Sequence, residues 1–154
     1  MIIWVASYPK SGNTWVRSII SSLVYTKDGI FDFPSIKKIE QYPQRRFLEY
    51  FTQDYNNIHE IKKHWITSQE RVNLDAKIKF FKTHHLNCKV DNYPFTNKGC
   101  TRATIYIVRD PRNLIDSISN HFNKSIEETK KFLLTSKILS PGKEIEPRGG
   151  NVIT

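Results

Sequence analysis

Three short apolar runs, each stopping at a knot of polar and titratable residues, constrain this chain more than any other feature. "IIWVAS" at 2–7 runs into "YPKSGNT", "KIKFFKT" at 77–83 ends in "KTHH" at 82–85, and "TRATIYIV" at 101–108 runs into "RDPR" at 109–112. Runs of this length and β-branched content read as buried strands. Between and after them the period changes. Val16, Ile19, Ile20, Leu23 and Val24 recur at helical spacing and form the stripe expected to face a core. "KDG" at 27–29 ends that helix, and residues 35–76 read as several short helices broken at "YP" and "NN". After the third run Asp110 can cap a helix with Pro111 in its first turn, and Leu114, Ile115 and Ile118 give it an apolar face. Ser125 and Glu128 form a capping box opening a further helix.

Strands alternating with amphipathic helices predict an α/β fold, a parallel sheet flanked by helices. Such a sheet binds ligands outside the carboxyl ends of its strands. The three polar clusters all follow strands, so the topology is expected to gather them into one site.

The 154 residues suit a single domain spanning 1–154. An excess of 24 Lys+Arg over 15 Asp+Glu, a formal charge of +9, favours an anionic partner. The basic residues are dispersed, with no long block or Arg-Gly repeat to support nucleic acid, so a phosphorylated small molecule is the better expectation. Cys88 and Cys100 fit neither a disulfide scaffold nor a zinc pattern and read as reduced thiols in a cytoplasmic protein. The first apolar run is too short for a signal peptide, and no stretch is long enough to span a membrane.

In the first cluster Gly12 permits a sharp turn close to a ligand. Asn13 and Thr14 then open a helix, whose first N–H groups and dipole favour an anion. Lys10 adds a mobile charge. The loop lacks the Gly-Lys-Ser/Thr of the common nucleotide-binding loop, because its lysine precedes the glycine. Trp15 falls roughly a right angle from the apolar stripe at ~100° per residue, free to stack on a base or to fill the rim of the core.

"YPKSGNTW" resembles the signature loop of sulfotransferases that use 3′-phosphoadenosine 5′-phosphosulfate (PAPS). The resemblance implies that Lys10, Ser11, Gly12, Asn13 and Thr14 hold the 5′-phosphosulfate and that Trp15 stacks on adenine. Asn13 stands where the family usually has threonine, offering an amide donor instead. "KTHH" is similar to the family's Lys-Thr-His motif, which assigns the catalytic base to His84 with Lys82 beside it, and leaves His85 as rival. Strand alternation sends the two histidines to opposite faces. "VRDPRNLIDS" resembles the 3′-phosphate motif, implying Arg109 and Ser117 as its ligands.

The likeness covers residues 2 to about 122. The implied reaction is transfer of a sulfuryl group from PAPS to a hydroxyl or amine of a small-molecule acceptor, with His84 as base, Lys10 stabilising the leaving phosphate, and no metal required. The family's later Arg-Lys-Gly segment has no match here, and "RGG" at 148–150 is only a superficial lookalike. The chain is therefore expected to be a truncated, N-terminal portion of the fold. An inactive PAP- or PAPS-binding fragment is one alternative. A P-loop-type kinase using Asp110 for Mg²⁺ is another. An uncovered sheet edge and the apolar tail "NVIT" also predict self-association into a homo-oligomer.

Overall fold

The computed structural model describes residues 1–134, so "RGG" and "NVIT" lie outside the described residues. The elements run β1 (Ile2–Ser7), α1 (Asn13–Tyr25), α2 (Phe33–Ile36), β2 (Glu40–Gln41), α3 (Arg45–Leu48), α4 (Ile58–Ile61) and α5 (Trp65–Val72). They continue with β3 (Lys79–Thr83), β4 (Lys89–Val90), β5 (Tyr93–Pro94), β6 (Thr101–Ile107), α6 (Ile115–Phe122) and α7 (Ile126–Leu134). Strands β2, β3, β1 and β6 lie side by side in that order, and every neighbouring pair is parallel. The fold is α/β, as the alternation of runs and stripes predicts. The small antiparallel pair β4–β5 and the two-residue β2 have no counterpart in that reading.

One face of the sheet carries the core. Trp4 lies opposite Phe81 on β3 and Thr104 on β6. Trp4, Tyr42, Trp65, Phe81 and Phe95 are all buried and interlock with Leu48, Ile58 and Ile61. Trp4 stands 5.5 Å from Tyr42 and 5.4 Å from Phe95, ring centre to ring centre, in tilted contacts favoured by aromatic quadrupoles. The Tyr42 hydroxyl meets the carbonyl of Trp65 and the hydroxyl of Ser68, and burial pushes its pKa up to about 12. The strands' other residues point away from this core. Those residues, Val5, Ser7, Lys82 and His84, are the ones that bear on the site.

Helix α1 departs from the sequence reading. Its inward face consists of Asn13, Ser21 and Ser22, with Arg17 and Ser18 half-buried, while Leu23 is 75% exposed and Ile19 and Val24 are also exposed. Val16 and Ile20 are half-buried, so the apolar stripe is split and only its Ile19, Leu23 and Val24 part looks outward. The serines can be buried because each satisfies its hydroxyl on its own helix: Ser18 donates to the Thr14 carbonyl, and Ser21 and Ser22 donate to that of Ser18. At the sheet edge β6 leaves Ile105 and Tyr106 exposed, and Val108 just beyond it is exposed too.

The third run keeps its expected ending. Asp110 accepts from the Arg112 backbone N–H and caps a 3₁₀ turn, Pro111–Leu114, that leads into α6 with Leu114 and Ile118 buried. Ser125 and Glu128 make the reciprocal capping box at α7.

Candidate functional site

The loop after β1 turns back on itself at residues 8–12. The Ser11 N–H donates to the Tyr8 carbonyl, and Gly12 adopts φ +98°, a left-handed conformation that glycine reaches without steric cost. A side chain added there meets no atom within 4 Å, so backbone conformation rather than crowding requires the glycine. Lys10, with a side chain, also sits at positive φ (67°), where non-glycine residues are uncommon. Its carbonyl accepts a 3.1 Å hydrogen bond from Arg109 Nη1, which ties the third cluster to the first. The Val16 N–H reaches the Gly12 carbonyl in the first turn of α1, and the N–H groups ahead of it have no partner inside the helix.

Asn13 does something other than its sequence position suggests. It is 5% exposed, and its Nδ2 donates both to the Val5 carbonyl (2.9 Å) and to Ser7 Oγ (3.1 Å). Both amide hydrogens are committed to β1, so this residue faces an incoming anion through its backbone N–H alone. Ser11 is buried beneath the loop, and Thr14 is exposed at its mouth. Trp15 is 76% exposed.

Strand β3 brings the second cluster to the same place. His84 follows its last residue, and Nδ1 lies 2.7 Å from the Ser7 carbonyl and 3.3 Å from Ser7 Oγ. A carbonyl can only accept, so Nδ1 carries the proton and Nε2 keeps a lone pair. Burial, followed by the positive charges of Lys82 and Arg17, pulls the His84 pKa down to about 4 against the opposing pull of the Ser7 carbonyl. The imidazole is thus neutral at physiological pH. Lys82 lies two residues back on the same face of β3. Burial, with Arg17 second, lowers it to about 8.

His85 points the opposite way. It stacks on Phe95 at 4.8 Å with rings 5° from parallel, meets Trp65 edge-on, and is 8% exposed. It belongs to the aromatic core, and desolvation holds its pKa down at about 3.

Arg17 and Ser7 escape the sequence reading. Arg17 Nη2 donates to the carbonyls of Ile36 (3.2 Å) and Ile39 (2.6 Å), pinning α1 to the segment entering β2. It sits four residues after Asn13, on the same face of α1, and that spacing is the signal that would have found it. Ser7 links Asn13 to His84, but a serine ending a strand carries no such signal alone. Ser117, half-buried on α6, makes no side-chain hydrogen bond among the described residues. The Asp110 carboxylate is taken up by Arg112 through both oxygens, with contacts of 2.6–3.1 Å.

The site thus gathers basic groups, one neutral histidine and a helix N-terminus at the carboxyl ends of β1, β3 and β6. The family model for the sulfotransferase domain matches residues 2–139. The chain belongs to the sulfotransferase family. No curated protein matches it. In this sulfotransferase the family match spans every cluster just described. No helix among the described residues is long and apolar enough to cross a membrane.

Proposed function

We propose that this sulfotransferase moves the sulfuryl group of PAPS to a hydroxyl or amine of a small-molecule acceptor, with His84 as general base. The observation that carries the reading is a juxtaposition. His84 offers a free Nε2 lone pair beside Lys82, and neither Lys82 nor Lys10 has a side-chain partner among the described residues. Lys82 is half-buried and Lys10 is exposed at the mouth of the loop; unpaired cations so placed favour an anion, and the N-terminus of α1 supplies further donors. The residues fit the donor: Lys10, Ser11, Thr14 and the backbone of Gly12 and Asn13 hold the 5′ end, Trp15 offers an exposed face to adenine, and Arg109 and Ser117 take the 3′-phosphate.

PAPS supplies the sulfuryl group to be transferred. The chain's own part is to orient and to manage charge. Ser7 fixes the ring of His84 through Nδ1, so Nε2 faces the acceptor and takes its proton. The N–H groups of α1 are fixed in place before charge develops on the departing phosphate, which is when such donors lower a barrier most, and Lys10 adds a mobile positive charge beside them. Asp110, the carboxylate that a magnesium-dependent kinase would use, is paired with Arg112 at the surface.

A thermal-shift titration with 3′,5′-ADP against ADP tests the donor assignment without needing an acceptor. Preference for the 3′-phosphate is expected, and equal shifts would refute it. His84→Asn is expected to keep 3′,5′-ADP affinity and to abolish sulfuryl transfer to a panel of phenols. The converse pattern, with His85→Asn abolishing transfer in a folded protein, would move the base by one residue.

A further inference from the structure

Arg17 does more than pin a helix. It projects from α1, one turn beyond Asn13, toward the face of β3 that carries Lys82 and His84. Its Nη2 is held by two carbonyls, while its Nε is buried without a hydrogen-bond partner. The groups acting on His84 come from three elements. β1 gives the carbonyl and hydroxyl of Ser7, β3 gives Lys82, and α1 gives Arg17. No carboxylate is among them. Arg17, reaching from α1 to the Ile39 carbonyl at the entry to β2, and Lys82 thus lie on the face of the one candidate base, and no carboxylate among the described residues pairs with either. Desolvated like charges are costly to hold together, so a group with this surrounding is set to respond when an anion arrives.

We propose that Arg17 is a positioning residue that makes the basicity of His84 conditional on the bound donor. Without the donor, burial first, and then the charges of Lys82 and Arg17, suppress proton uptake by His84. An anionic phosphosulfate beside Lys10 and Lys82 cancels that charge, and His84 becomes a competent base only then. The proton from the acceptor passes to Nε2, giving an imidazolium whose Nδ1–H stays on the Ser7 carbonyl. The consequence is an order of events in which the donor binds before the acceptor is deprotonated. The proposal rests on the donor reading of the site. It adds a residue that the three sequence clusters omit. The low pKa of His84, about 4, agrees with it.

The test is a side-chain NMR titration of the histidines with the His84 signal assigned by its loss in His84→Asn. In the free protein His84 is expected to stay neutral down to about pH 5, and with 3′,5′-ADP its midpoint is expected to rise by ~1 pH unit or more. Arg17→Met is expected to raise the midpoint in the free protein and to shrink the further rise on ligand addition. Arg17→Lys, which keeps the charge, is expected to stay close to the parent protein. An unchanged midpoint on adding 3′,5′-ADP at saturation overturns the proposal, as does an unchanged midpoint in free, folded Arg17→Met. If Arg17→Met does not fold, the parent protein with and without ligand decides alone. If 3′,5′-ADP does not bind, the donor reading fails, and the free-state comparison of parent and Arg17→Met still decides whether the charge coupling exists.

Discussion

Replacing Asn13 by alanine separates two roles that one residue cannot both fill. If the side chain braces β1, its loss costs fold stability. If it reaches the ligand, its loss costs affinity. The structure has Nδ2 donating to the Val5 carbonyl at 2.9 Å and to Ser7 Oγ at 3.1 Å. At about 1 kcal/mol per hydrogen bond the two contribute about 2 kcal/mol. Asn13 Oδ1 is buried without a partner, so removing it returns something on the order of 1 kcal/mol. The void left by the amide, in a site 5% exposed, takes back a similar amount, about 1 kcal/mol. The net expectation for Asn13→Ala is a loss of about 2 kcal/mol, read by urea denaturation with linear extrapolation. For a domain of this size that lowers Tm by roughly 4–8 °C. Affinity for 3′,5′-ADP in the folded variant is expected to fall by less than about tenfold, ~1.4 kcal/mol, because the backbone N–H remains. Asn13→Asp keeps the shape but turns donors into acceptors against a carbonyl, and should cost about 3 kcal/mol or more. A stability change under about 0.5 kcal/mol in Asn13→Ala, with loss of ligand binding, would show that the amide faces the anion and that the brace is wrong.

Arg109→Ala should weaken 3′,5′-ADP by about 1.5–3 kcal/mol more than it weakens 5′-AMP, the scale of a charge-assisted hydrogen bond. The 5′-AMP loss should not be zero, because Arg109 also holds the Lys10 carbonyl; isothermal titration reads both, and equal losses would confine Arg109 to the loop. Affinity for 3′,5′-ADP should be flat between the His84 titration and the free-state Lys82 pKa of about 8 and fall as pH rises beyond it, because anion binding raises that pKa and favours the charged form. Titrations at rising pH check this: Lys82→Arg should flatten the fall, and a fall unchanged in that variant would acquit Lys82. Leu23→Lys should leave stability at low concentration within about 0.5 kcal/mol, since the side chain is exposed. Light scattering should show the parent chain associating and this variant less so, whereas a large loss of stability would mean that Leu23 packs inside the protomer.

The sequence by itself determined where three of the four strands of the central sheet run and that a polar cluster follows each. β1, β3 and β6 are local apolar runs, and a strand dense in Ile, Val and Phe declares itself without its neighbours. The turn after β1 and the start of α1 follow for a similar local reason, since a glycine at φ +98° and a helix start are properties of a few consecutive residues. Tertiary structure decided the rest. β2 is two residues, Glu40 and Gln41, made a strand only by pairing with Phe81 and Lys82. The orientation of α1 departs from its stripe at Ile19, Leu23 and Val24, because serines that bond their own helix carbonyls can be buried as readily as valines, and hydrophobic spacing cannot see that satisfaction. Alternation alone separates His84 from His85, but only the packing of Phe95 and Trp65 against one face, and of Ser7 against the other, says which histidine has a free nitrogen at the site. Arg17 joins that site through contacts that depend on where α1 lands on the sheet, a placement set by long-range packing that no local stretch of residues encodes.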